Sequence, residues 1–163
     1  MSISYLISLE QLSVLAHFCK IDAFKGLPEM PVIDRERCNA LVETMAEQGM
    51  VHLNAGEIAV DVVVKFILST MAASSLFIQA PNSICGYCTD VMGVVVLPAA
   101  RSVSKYKIVP MLNANVFAAM LWESCRADTQ ASFVVETAKT KIETQLTKAA
   151  LEKTIARTYT EDA

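Results

Sequence analysis

Residues 58–73, IAVDVVVKFILSTMAA, constrain the fold more than any other stretch of this chain. Wound at 3.6 residues per turn, Val62, Val63, Val64, Phe66, Ile67, Leu68 and Met71 leave almost no polar face. Such a helix is expected between two layers of protein, despite the modest helix propensity of its valines. Asp61 and Lys65 interrupt the run, which speaks against a membrane span of ~20 apolar residues. The surrounding composition agrees, with 53% hydrophobic and 19% charged residues in 163. That is ample apolar surface for a packed core and excludes a disordered polymer.

Upstream, the spacing of Leu9, Leu12, Leu15, Ala16 and Cys19 predicts an amphipathic helix with Ser8 as its N-cap. Gly26, Pro28 and Pro31 end it in a loop. A second helix is expected from an Asp34 cap through RERCNALVETMAEQ to Gly49, with a short strand turning at Asn54–Gly56 after it. From Ser74 the period changes. SSLFIQA, CGYCTDVMGVVVLPA and SKYKIVPML read as three successive strands, separated by Pro81–Asn82 and by Ala100–Ser104. Short connections favour antiparallel pairing, and Pro110 favours an edge or a strand end. Asn113 or Asn115 is the expected cap of the helix NVFAAMLWESCRA.

Val134, Ala138, Ile142, Leu146, Ala149, Ala150 and Ile155 follow helical spacing, so residues 130–158 are expected to form one long helix. The class is therefore α+β, with N-terminal helices, a three-stranded antiparallel meander and two C-terminal helices. Residues 1–127 make the α+β domain, helical over 8–73, sheet over 74–112 and helix over 115–127. The final helix packs on that domain or on a partner subunit.

Charge and cysteine usage narrow the function. Fourteen basic against seventeen acidic residues give a net charge of -3, the opposite of a phosphate-backbone binder, so nucleic acid is not an expected partner. The five cysteines, at irregular spacing, point to a reducing compartment. The opening MSISYLISLEQLSVLAHF lacks a basic leader and contains Glu10, so it reads poorly as a signal peptide. A cytoplasmic chain without membrane insertion is the expectation.

Cys85-Gly-Tyr-Cys88 has the spacing of a redox pair or half a zinc site. The residues after it read as strand and not as the helix a redox pair needs. No second closely spaced pair completes a zinc site from Cys19, Cys38, Cys125, His17 and His52. Structural thiols are expected, with no metal, cofactor or catalytic residue; a small thiol- or metal-dependent enzyme is one alternative. The other is a winged-helix-like transcriptional regulator built on the N-terminal helices, because a helix, a second helix ending at Gly49-Met50-Val51, a turn and a third helix follow one another. Its recognition helix would offer Arg35, Arg37 and Gln48 but oppose them with Glu36, Glu43 and Glu47. What remains is protein binding. Phe117, Leu121 and Trp122, with Ile142 and Leu146 of the last helix, are the candidate interface, and the regular stripe of that helix makes homodimerisation an expectation.

The segment DRERCNALVETMAEQGMVHLNAGEIAVDVVVKFILSTMAA, residues 34–73, resembles the EspG-type secretion chaperones of the type VII (ESX) system, in particular their Firmicute relatives. The likeness lies in Leu41…Gly49-Met50-Val51, the turn Asn54-Ala55-Gly56-Glu57, a helix, and then SSLFIQA, GVVVLPA and YKIVPML, covering roughly residues 8–122. It implies a cytosolic, non-catalytic protein that binds and escorts secreted helical-hairpin substrates. Members of that family are about two such units long, whereas this chain supplies one and a long helix; a homodimer would restore the second half.

Overall fold

The computed structural model describes residues 3–99 and 105–161, the last four of these by backbone alone. The Ala100–Ser104 connection lies outside the described residues. The frame is a seven-stranded antiparallel sheet with helices on both faces. Its strands are β1 (Tyr5–Ser8), β4 (Leu76–Ala80), β5 (Ile84–Cys88), β6 (Gly93–Pro98), β7 (Lys105–Met111), β8 (Ala131–Thr137) and β9 (Lys141–Leu146). They lie in the order β1-β7-β6-β5-β4-β8-β9. A separate two-stranded hairpin joins β2 (Val51–Asn54) to β3 (Glu57–Val60).

The expected helix starts hold. Ser8 caps α1 (Leu9–Phe18) in a capping box with Gln11, both bonds 3.0 Å. Asp34 accepts from Arg37 N at 2.8 Å to start α2 (Arg35–Glu47), and Gly49, at φ +78°, follows its end. Asp61 caps α3 (Val62–Ala72) and Asn113 caps α4 (Ala114–Cys125). The hairpin turns on Ala55 and Gly56, both at positive φ, as a two-residue loop requires.

Alternation along the strands gives the sheet two buried faces. Ile7, Phe77, Cys85, Tyr87, Val94, Val96 and Ile108 look toward α1, α2 and α3. Leu76, Ile78, Ile84, Val95 and Phe133 look the other way, toward α4 and α5 (Lys148–Glu161). Phe117 of α4 lies across Gly86 and Gly93, on neighbouring strands, where a Cβ would come within 2.8 and 2.7 Å of its ring. Both glycines are there for space.

Three expectations are corrected. The three-stranded meander is the centre of a seven-stranded sheet. Its second strand is two, broken at Thr89–Met92, where Thr89 N donates to Met92 O and the Thr89 hydroxyl accepts from Met92 N. Short edge strand β1 adds to β7 as far as Tyr5 opposite Ile108. Pro110 thus lies past the end of that ladder, where its missing N–H costs nothing.

The long helix over 130–158 is instead the hairpin β8–β9 followed by α5. Strand β8, rich in β-branched residues, pairs with β4 from Leu76 opposite Thr137 to Gln79 opposite Val134, and its Phe133, just past that ladder, is fully buried. Finally, α3 is not enclosed between layers. Val64, Ile67, Leu68 and Met71 face the sheet, while Val62, Val63 and Phe66 face outward. Among the described residues no helix is long and apolar enough to cross a membrane.

Candidate protein-binding groove

The outward side chains of α3 form one wall of an apolar hollow. Phe66 lies four residues after Val62 and three after Val63, so it adjoins both along one side of the helix. The opposite wall comes from Leu112, Asn113 and Val116, where β7 passes into α4. Met92, Pro110 and Met111 lie between the walls, and Ile3 completes the lining ahead of β1. The hollow has a volume of about 690 Å³.

Among the described residues no charged side chain lines it. Its one polar side chain, Asn113, is spent on the first turn of α4, accepting from Asn115 N at 2.8 Å and Val116 N at 3.4 Å. Val62 and Leu112 stand out as a rim, 81% and 79% exposed, and Phe66 is 45% exposed. Met92 is buried beneath them. A hollow of this kind offers dispersion and the hydrophobic effect to an occupant, with no convergent polar groups to orient a reacting substrate.

The α3 wall is fixed at its N-terminus by a single carboxylate. One oxygen of Asp61 lies 2.8 Å from Nε2 of His52 on β2; the other accepts from Val63 N and Val64 N at 3.1 and 3.4 Å. The His52 hydrogen bond, helped by the backbone donors, holds the Asp61 carboxyl below the usual carboxylate range. The pair ties the β2–β3 hairpin to the helix that bears the groove.

The sequence-predicted interface residues do not meet on one surface. Phe117 and Leu121 are fully buried in the core between α4 and the sheet. Trp122, 8% exposed, stacks on Phe133 with ring centroids 6.3 Å apart. Leu146 packs partly buried against the same core. Only Ile142 is open, at 54%, on β9 at the far edge of the sheet from β7. The groove residues were missed because the expected burial of α3 already accounted for Val62, Val63 and Phe66. The available signal was their excess: a helix covering one sheet face needs only one apolar stripe.

The Cys85-Gly-Tyr-Cys88 segment is β5, so its two thiols, three residues apart, point to opposite faces of the sheet. Cys85 donates weakly to Gln79 Oε1 at 3.5 Å, and burial pushes its thiol up to about 11. Burial does the same to Cys125. These are poor nucleophiles at neutral pH. Cys38 and His17 line a second hollow, of about 540 Å³, in which the Ser13 hydroxyl is spent on the Pro31 carbonyl at 2.7 Å. Among the described residues no group of three or more His, Cys, Asp or Glu could hold a metal ion.

Helix α2 followed by the β2–β3 hairpin has the order of a recognition helix and wing, but its exposed face carries Glu36, Glu43 and Glu47. Arg37 is engaged with both carboxylate oxygens of Glu10, at 3.1 and 3.0 Å. That face would repel phosphate. No protein-family model matches the chain, and no curated protein matches it.

Proposed function

We propose that this protein works by binding another polypeptide, without catalysis, and that the groove between α3 and α4 is its contact surface. The reading rests on one observation: the groove's lining is uncharged among the described residues, and its most exposed side chains are Val62 and Leu112. Large apolar side chains that the domain's own core does not use are a cost in water and a gain in an interface. The absence of unspent polar groups in the groove favours apolar side chains of a polypeptide over a polar metabolite. In the cell, the role would be that of a cytoplasmic chaperone or targeting factor for helical type VII secretion substrates, as the likeness of residues 34–73 implies. Shielding an apolar helix face in such a hollow is the helix-in-groove mode of recognition.

The test is a photo-crosslinking amino acid at Val63, with position 142 as control, in cells that carry the secretion system. Covalent capture of a secreted helical protein from position 63, and none from 142, is the expected result. Capture of no polypeptide through the groove, from this position or from Phe66, overturns the reading.

A further inference from the structure

We propose that the open edge of β9 pairs with the same edge of a second copy, antiparallel about a two-fold axis at Ile142, so that two sheets become one. The inference goes beyond the proposed function and uses none of the groove. β9 is the last strand in the sheet order, and among the described residues no strand lies beyond it. Thr137 N donates to Thr140 O at 2.8 Å, which makes 137 and 140 a hydrogen-bonded pair of the β8–β9 hairpin. Bonded and unbonded pairs alternate along an antiparallel ladder. Ile142, Thr144 and Leu146 therefore bond to β8, while Lys141, Glu143 and Gln145 turn their N–H and C=O groups to the open edge. What fits such an edge is another strand.

Side chains decide which strand. A lysine and a glutamate two residues apart guard this edge, both exposed, so a strand laid against them must offer the opposite charges in reverse order. An antiparallel copy of β9 does so. With the axis at Ile142, Lys141 faces Glu143 and Glu143 faces Lys141, and each pair exchanges both backbone bonds. Thr140 faces Thr144, and Ile142, 54% exposed in the single chain, is covered by its own copy. Opposite-charge and threonine pairs are among the stabilising cross-strand kinds. Both charges are available for the contact. Glu136, across from Lys141 on β8, is held by Lys25 at 3.3 Å, and Glu143 lies across from Val134. Moving the axis to Glu143 would set two carboxylates face to face, so the charges fix the register as well as the partner.

A contact of one strand is smaller than a standard interface, so a weak dimer is expected, and sedimentation velocity with light scattering should span about 10 to 500 µM of the full chain. The expected result is a concentration-dependent rise from 17.8 kDa toward twice that mass. Lys141→Glu and Glu143→Lys should each weaken the dimer by about tenfold, because each turns two attractive pairs into repulsive ones. The double exchange should restore it. Both positions are exposed, so unchanged circular dichroism melts are expected and would show that folding is intact. Ile142→Cys should cross-link to its own copy on air oxidation, since the Cα atoms of an unbonded antiparallel pair lie ~4.5 Å apart, within reach of a disulfide. Thr144→Cys, set opposite Thr140, should not. A monomer across the whole range overturns the inference, as does a double exchange that restores nothing, or a cross-link from Thr144→Cys and none from Ile142→Cys. None of these results touches the proposed function, which falls only if Val63 and Phe66 positions capture no polypeptide.

Discussion

Alanine at position 93 would place a methyl carbon 2.7 Å from Cδ2 and 2.9 Å from Cγ of Phe117. Carbon atoms in contact sit ~3.5–4.0 Å apart, so the ring must retreat by about 1 Å. It has nowhere to go. Phe117 is fully buried, and its far end lies against Gly86, where Cζ is already 2.8 Å from the position of a Cβ. The contact at position 93 is with the base of the ring, next to the α4 backbone, so yielding there shifts the helix and not merely a rotamer. Overpacking costs ~1–3 kcal/mol, and the upper half of that range is expected for Gly93→Ala. In a chain of this size ~2–4 °C accompanies each kcal/mol, which gives a fall in Tm of about 4–12 °C. Gly86→Ala meets the ring tip and should cost less. Phe117→Ala alone should cost ~3–5 kcal/mol. Added to that background, Gly93→Ala should be close to neutral, because the methyl enters vacated space, a coupling of ~2 kcal/mol. Urea unfolding of the four proteins of the cycle measures it. A cost below ~0.5 kcal/mol for Gly93→Ala, the ordinary range of a surface change, would refute the packing argument. So would an equal cost in both backgrounds.

Asp61→Ala should destabilise the protein by ~1 kcal/mol through loss of the α3 cap. Because the folded carboxyl is held below its usual range, that stabilisation is fully present above about pH 4 and is lost as pH falls through the depressed value. The gap between wild type and variant, read by thermal melts from pH 7 to pH 3, should therefore close at the acid end. A gap that widens on acidification would contradict the sign. Cys85, Cys88 and Cys125 should resist a thiol reagent at pH 7.5 until the protein unfolds, while half-buried Cys19 and Cys38 react first; mass mapping of the labels decides it, and fast labelling of Cys85 would count against the buried assignment. Tyr87→Phe removes the hydroxyl that donates to the Lys25 carbonyl. A loss of ~1 kcal/mol in urea unfolding is expected, and no loss would mean that water satisfies that carbonyl equally well.

Caps and turns were legible in the sequence because they are local. Ser8, Asp34 and Gly49 act within a few residues, and neighbouring identity is enough to place them. Residues 130–146 were not legible, because two periods coincide there. Val134, Ala138, Ile142 and Leu146 fit a helix at four-residue steps, while Ala131, Phe133 and Val135 fit one face of a strand. Pairing with β4 decides in favour of strand, and β4 lies fifty residues upstream. The threonines at 137, 140, 144 and 147, which weaken a helix, were the local sign of the right answer. Thr137 and Thr140 also close the turn, with Thr137 N donating to Thr140 O at 2.8 Å. The break within 85–99 escaped for a related reason. Its turn uses the Thr89 hydroxyl where a glycine or proline would have announced it.

The groove was hidden differently, since no local signal could have assembled it. Its lining comes from residue 3, from 62–66, from 92 and from 110–116, four segments joined only when α3 and α4 are laid on opposite faces of one sheet. What the sequence did carry was a surplus. A helix with seven large apolar residues in ten cannot bury all of them against a single sheet face, so an enclosing second layer or an exposed apolar wall must follow. The second layer exists, but the sheet's other face has taken it: α4 and α5 pack there, with Phe117, Leu121 and Trp122 spent in that core. The same count of apolar residues therefore yields a different candidate interface from the one the aromatic cluster suggested. Its most exposed side chains, Val62 and Leu112, add little to the domain's core, which is why substitutions there should weaken a partner's binding while leaving the melt of the isolated protein unchanged.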